Sequence, residues 1–238
     1  MENKENKIVK SIQNGQLVTI EAIDRAEHAA VTNFPSPVAR SGPELSDEQK
    51  IEYIAERFRD IMEVLGLDLS NDSLARTPQR VAKMYVNEIF SGLDEKNFPA
   101  ISFFENEFQH QHKSSIVFVK VNFNSFCEHH FVPMNGTAYV AYIPRDKLIG
   151  LSKIPRIVRF FASRPQVQER LTAQIADSLA ILLDTENVAV SMAAQHFCII
   201  ARGIEDTESR TITNVLRGDF DSNVDTRREF FEAINRAG

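Results

Sequence analysis

Cysteine occurs only twice in this chain of 238 residues, and both times it has histidine close by. The run Phe126-Cys127-Glu128-His129-His130-Phe131-Val132-Pro133 sets a thiol, a carboxylate and two imidazoles between bulky apolar residues. Cys198 closes the run Gln195-His196-Phe197-Cys198. A Cys-x-x-His pair with a distant second cysteine supplies three ligands that suit zinc, with a fourth position left open. Three protein ligands and a vacancy is the catalytic arrangement, because water can enter the open position and lose a proton near neutral pH. Two other fates exist for the cysteines, a disulfide or burial as inert thiols. The histidines beside both of them favour metal. Any fold for this chain must then bring two segments that are far apart in sequence to one point.

Composition narrows the setting. Hydrophobic residues make up 43% and charged residues 25% of the chain, ordinary values for a soluble globular protein. No apolar run reaches the length of a membrane span. The start, Met1-Glu2-Asn3-Lys4-Glu5-Asn6-Lys7, lacks the apolar centre of a signal peptide. A cytoplasmic, reducing compartment is therefore expected, which counts further against a disulfide. The net charge of −6 argues against a general nucleic-acid binder. An anionic small molecule could still bind at a locally basic cluster.

Residues 1–45 are polar and broken by Pro35, Pro37 and Gly42-Pro43, so they read as a mobile extension with one short helix in 17–32. A regulatory or partner-binding arm is the alternative. Ser46-x-x-Gln49 is a capping box, and Ile51, Ile54, Ala55, Phe58, Ile61, Met62 and Leu65 follow at helical spacing up to Gly66. A second helix is expected with Thr77 as N-cap, Pro78 at the first helical position and a stripe through Val81, Met84, Tyr85, Ile89 and Phe90. Arg80 and Lys83 share one of its faces.

From Ser115 the period changes to two, predicting a strand through Phe123 that runs into the Cys127–His130 loop. A second strand is expected over 137–143 and helices over 152–163 and 166–184. Strands follow at 188–193, 196–202 and 210–216, and a last helix at 223–236. His110-Gln111-His112 reads as a polar loop. Helices and antiparallel strands come in blocks, so the class is α+β. On a strand, His196 and Cys198 would lie side by side with Phe197 opposite. Two histidines flanking a bound water, His129 and His196, would suit proton transfer near pH 7.

Together these features resemble GTP cyclohydrolase I. The resemblance covers most of 46–236 and rests on Arg76-Thr-Pro-Gln-Arg-Val-Ala-Lys-Met84, Cys127-Glu-His-His-Phe-Val-Pro133 and Gly150-Leu-Ser-Lys153. It also rests on Gln166-Val-Gln-Glu-Arg-Leu-Thr172 and on His196-x-Cys198 with Arg202-Gly203. The chain departs from the family pattern at Gln195, where a smaller residue is usual, and at Met134-Asn135.

The resemblance implies the tunnelling fold, an antiparallel sheet packed with helices and preceded by an N-terminal helical region. The expected domain spans 46–238, with helices in 46–95 and the catalytic fold in 110–238. A homodecamer with active sites at subunit interfaces is implied as well. Zinc would be held by Cys127, His130 and Cys198. Glu169 would accept the guanine N–H groups with Gln168 assisting. Lys153, Arg156 and Arg202 would hold the triphosphate, joined by Arg80 and Lys83 of a neighbouring subunit. His129, His196 and Ser152 would move protons as GTP becomes 7,8-dihydroneopterin triphosphate and formate leaves. A pterin synthase and a nitrile reductase of related fold are weaker matches. The first binds zinc through three histidines, and the second uses a cysteine nucleophile without zinc. A non-catalytic zinc protein of this fold is the rival from another class.

Overall fold

The computed structural model describes residues 36–39, 45–107 and 115–238. Apart from 36–39 and 45, the extension with its expected helix lies outside the described residues, as does the 110–112 loop. The Ser36 hydroxyl accepts from Arg164 Nη1 at 3.4 Å and Gln174 Nε2 at 3.2 Å, which ties the end of the extension to the body.

Helix α1 (Asp47–Val64) starts as its sequence dictates. Ser46 accepts from the Gln49 N–H, and the Gln49 side chain accepts from the Ser46 N–H, so two backbone donors are satisfied at the helix start. Helix α2 (Thr77–Met84) begins one residue earlier than expected. Thr77 is already helical, Arg76 occupies the cap position, and no side chain caps the end. Proline is tolerated here because first-turn N–H groups have no helical partner to lose. The expected continuation to Phe90 widens into a π-helical turn at Tyr85–Ile89.

The main sheet has five strands in the order β5-β2-β3-β6-β7: β2 (Val117–Cys127), β3 (Pro133–Tyr142), β5 (Pro165–Gln166), β6 (Val188–His196) and β7 (Thr211–Leu216). Its long pairs are antiparallel, and only the two-residue β5 lies parallel to β2, with Cys127 opposite Gln166. A short antiparallel pair, β1 (Phe103–Glu105) with β4 (Lys147–Ile149), forms a second sheet that periodicity did not reveal. Along β2 the period of two is plain: Val121, Phe123, Ser125 and Cys127 are buried while Lys120, Asn122 and Asn124 are exposed.

Helices α3 (Lys153–Ala162) and α4 (Gln168–Leu183) cover the buried face. Leu171, Ile175 and Leu179 of α4 are fully buried, at about 1.5–3 kcal/mol each. Three such anchors on one stripe leave α4 little freedom to slide, so its N-terminal turn is placed firmly. On the opposite face of the sheet, Phe220 and Phe230 pack with Ala141 and Ala189 in a smaller core. They come from α6 (Asp219–Ser222) and α7 (Val224–Ala237). Gly136 is needed where β3 crosses β6, since a Cβ there would sit 2.1 Å from the Ala193 carbonyl oxygen. This is the antiparallel, helix-backed sheet expected of the α+β class and the tunnelling fold.

One expectation is overturned. Residues 196–202 are not a strand: β6 ends at His196, and Phe197–Ile200 form a single helical turn, α5. The β-branched pair Ile199-Ile200 favours a strand locally, but the sheet runs out of partners. His196 pairs with Met134, β3 begins at Pro133, which has no N–H, and β7 begins at Thr211 opposite Ala194. Ala201 N–H instead bonds Phe197 O at 2.9 Å, and Glu205 N–H bonds Ile199 O at 2.9 Å. His196 and Cys198 therefore do not share one face of a strand.

Candidate metal and active site

Cys127 is the last residue of β2 and is 5% exposed. The chain then turns sharply. Phe131 N–H bonds Cys127 O, and Cys127 N–H bonds Val132 O, both at 2.9 Å. Glu128 N–H crosses to Gln166 O at 3.0 Å. Phe131 takes a left-handed φ of 52°, an unusual state for an aromatic residue. Its ring is held edge-on to Phe90 at 5.0 Å and to Tyr85 at 6.3 Å, contacts that hold the turn in this shape.

This turn and α5 meet. One ligand atom each from Cys127, His130 and Cys198 lies within 4.8 Å of the other two. Cys127 Sγ is 4.0 Å from His130 Nδ1 and 3.8 Å from His129 Nδ1. A tetrahedral zinc with bonds of about 2.0–2.3 Å sets its ligand atoms roughly 3.5–3.8 Å apart. The trio needs to close by no more than about 1 Å to reach that spacing. Both cysteines are free thiols, not a disulfide. Burial first, and then the adjoining Cys127, pushes the Cys198 thiol up, with Arg202 pulling weakly the other way. A divalent cation reverses that balance, because it holds its thiol ligands deprotonated. The donor set and its spacing fit a zinc ion.

His196 is held by its own hydrogen bond. Its Nε2 lies 2.8 Å from Gln168 Oε1. Gln168 is 1% exposed, and its amide nitrogen donates to Met192 O, Thr211 O and Thr213 Oγ1 at 3.0–3.1 Å. Two of those partners are carbonyls that only accept, which assigns the amide orientation and leaves Oε1 toward the imidazole. His196 Nε2 must then carry a proton, and Nδ1 is the nitrogen left for chemistry. Burial lowers the pKa of His196, while the Glu169 charge raises it.

The remaining expected residues lie on α2, α3, α4 and the segment that follows α5. Glu169 stands exposed in the first turn of α4, beside buried Gln168. Ser152 caps the α3 position without a side-chain cap bond, and Lys153 opens that helix, with Arg156 exposed one turn on. Arg202 donates from Nη1 to His130 Nε2 at 3.0 Å. Arg80 and Lys83 are exposed on α2. Among the described residues, Arg80, Lys83, Lys153, Arg156 and Arg202 have no ion-pair partner, so their charge is uncommitted. The chain does not tie Arg80 or Lys83 to the trio by any hydrogen bond among the described residues.

Sequence reasoning missed Arg170. Its Nη1 donates to Glu128 Oε2 at 2.5 Å and its Nη2 to Oε1 at 3.3 Å. The Arg170 bond, opposed by burial, holds the Glu128 carboxyl below the usual carboxylate range. Both residues stand inside the quoted motifs, but nothing in their spacing shows that they pair.

The site so built is a Cys-His-Cys centre at the rim of an antiparallel sheet, of the kind found in metal-dependent hydrolases. The GTP cyclohydrolase I family matches over residues 54–235, well over half of the chain. The chain is 53% identical over 204 residues to GTP cyclohydrolase 1 of Erwinia tasmaniensis, covering 85% of this chain and 89% of the relative. It is 56% identical over 191 residues to that of Aeromonas salmonicida, covering 80% and 86%. With that of Enterobacter sp. (strain 638) it shares 55% over 209 residues, covering 87% and 93%. The chain belongs to the GTP cyclohydrolase I family.

Proposed function

We propose that this protein converts GTP to 7,8-dihydroneopterin triphosphate with release of formate, using a zinc ion held by Cys127, His130 and Cys198. The observation that carries the reading is the convergence of those three side chains within 4.8 Å from two segments distant in sequence. Bound there, zinc supplies a water acidified to near neutral pKa, the nucleophile needed to open the imidazole ring of guanine at C8.

The chain's own residues do the rest. Glu169 accepts two guanine N–H groups, a task only an ionised carboxylate performs with both oxygens. Gln168 acts one step back, by locking the His196 ring with Nε2–H toward its own carbonyl. His196, once protonated, gives the Nδ1 proton to N7 of the purine and so improves the leaving group. Burial works against that protonation, and the Glu169 charge works for it. His129, exposed next to Cys127, positions water and carries protons, and Ser152 serves the later rearrangement of the ribose.

Lys153, Arg156 and Arg202 take the triphosphate, with Arg80 and Lys83 reaching in from a neighbouring subunit of a homodecamer. Their unpaired charge allows a protein of net charge −6 to hold a polyanion locally. No helix among the described residues is long and apolar enough to cross a membrane. The cytoplasm is the fitting compartment, because its reducing conditions keep Cys127 and Cys198 as thiols.

The test is to incubate the purified, zinc-loaded protein with GTP and measure formate, together with a fluorescent pterin after oxidation. Both should appear in equal amounts and vanish with zinc removal. Formate without pterin would limit the reaction to ring opening, and neither product would refute the assignment.

A further inference from the structure

Glu128 stands between the two ligands of the Cys127–His130 turn, and its side chain is only 19% exposed. Most of it is shielded from water. It reaches the first turn of α4, where Arg170, itself 15% exposed, meets both carboxylate oxygens with both terminal nitrogens. Such a fork fixes rotation as well as distance, which a single point charge does not. The backbone bonds of the turn run from Phe131 N–H to Cys127 O, from Cys127 N–H to Val132 O and from Glu128 N–H to Gln166 O, and the fork adds the side-chain tie to α4 that they lack.

We infer that Arg170 is a positioning residue for the metal centre, clamping Glu128 so that Cys127 and His130 are held at ligand spacing before the ion arrives. The helix that carries the clamp is anchored by fully buried Leu171, Ile175 and Leu179, so it forms a rigid base. The same helical turn presents Gln168, which holds His196. One turn of α4 thus sets the register between the strand end that bears Cys127 and the strand end that bears His196. The inference rests on the zinc reading of the trio.

A second ion pair on α4 provides the control. Asp177, three residues after Gln174, pairs with Arg217 away from the metal turn. If any ion pair on this helix merely stabilised the fold, breaking either one would have the same effect on the metal.

The experiment measures zinc release from the assembled, zinc-loaded protein to a chromogenic chelator, without GTP, alongside the melting temperature of the zinc-free protein. Arg170→Ala, Arg170→Lys, Glu128→Gln, the double variant Arg170→Ala/Glu128→Gln and Arg217→Ala are compared with the parent. Outer partners of metal ligands typically contribute about 10–100-fold to affinity, so Arg170→Ala and Glu128→Gln should each weaken retention by that order. The double variant should be no worse than the weaker single, because both remove one contact. Arg170→Lys should fall between, and Arg217→Ala should leave release unchanged whatever it does to melting.

Should Arg170→Ala fail to assemble, Arg170→Lys and Glu128→Gln decide the question by the same readout. Parent-like release from those variants, additive effects in the double variant, or equal weakening by Arg217→Ala would overturn the clamp. A parent that retains no zinc would overturn the metal reading itself, and the clamp with it. Zinc retained by the parent but unaffected by the clamp variants would sink the clamp alone.

Discussion

At Cys127 the chain reaches the site on the last residue of an 11-residue strand, whereas at Cys198 it arrives on a helical turn after its strand has ended. The histidines follow the same division. His129 and His130 are exposed on their turn, and His196 is half-buried, with one nitrogen bound to a glutamine that is itself saturated by the sheet. The first segment is open, and its shape comes from backbone bonds, the Phe131 ring and a side-chain fork. The second is closed, and its imidazole has a set tautomer. An open ligand turn admits an ion and a substrate, while a buried imidazole with one committed nitrogen offers a single defined proton position. His196 and Cys198, only two residues apart, thus stand in different local structures, a strand end and a helical turn.

The largest expected effect tests whether the two segments make one metal site. Cys198→Ser should lose zinc and turnover together, down to the level of the zinc-stripped parent, by metal analysis and formate release on one preparation. Full zinc occupancy in that variant would separate α5 from the metal and break the comparison at its root.

Next in size is His196→Ala, which should keep its zinc yet lose about 10²–10⁴-fold in single-turnover formate release, the usual contribution of a positioned acid. GTP affinity should change far less. Zinc falling in step with activity would move His196 into the metal shell, and His196→Gln acting like the parent would deny it any chemical role.

A smaller, partial effect probes what one chain cannot complete alone. Mixing inactive Lys83→Ala chains with inactive Cys198→Ser chains should restore a fraction of activity, because some interfaces then pair an intact metal centre with an intact basic face. No recovery after verified subunit exchange would mean that Lys83 serves its own chain's site.

The smallest effect concerns the part of α4 distant from the site. Burial raises the pKa of Asp177, against the pull of Arg217. A carboxyl whose folded pKa is raised contributes most below its unfolded value, and that contribution is lost as pH rises through the folded value. Asp177→Asn lacks this loss. Its urea midpoint relative to the parent should therefore improve from pH 4 to pH 7. A large destabilisation at pH 7 would show that the Asp177–Arg217 pair is a strong net stabiliser.

Much of this molecule was legible along the chain. The capping box at Ser46, the alternation through Val121 and Phe123, and the α4 stripe through Leu171, Ile175 and Leu179 are local patterns whose burial follows from period alone. The Cys-x-x-His run and the second cysteine named the three groups that the structure brings together. The strand end at His196 was not legible, because Ile199 and Ile200 favour a strand and only the start of β3 at Pro133 and of β7 at Thr211 removes their partners. The hydrogen bond from His196 to Gln168 and the fork between Arg170 and Glu128 were equally hidden. Residue types and spacing specify which groups are available. Only the packed sheet and the anchored helix decide which of them meet, because those contacts join positions 28 and 42 residues apart through a tertiary register that local sequence does not encode.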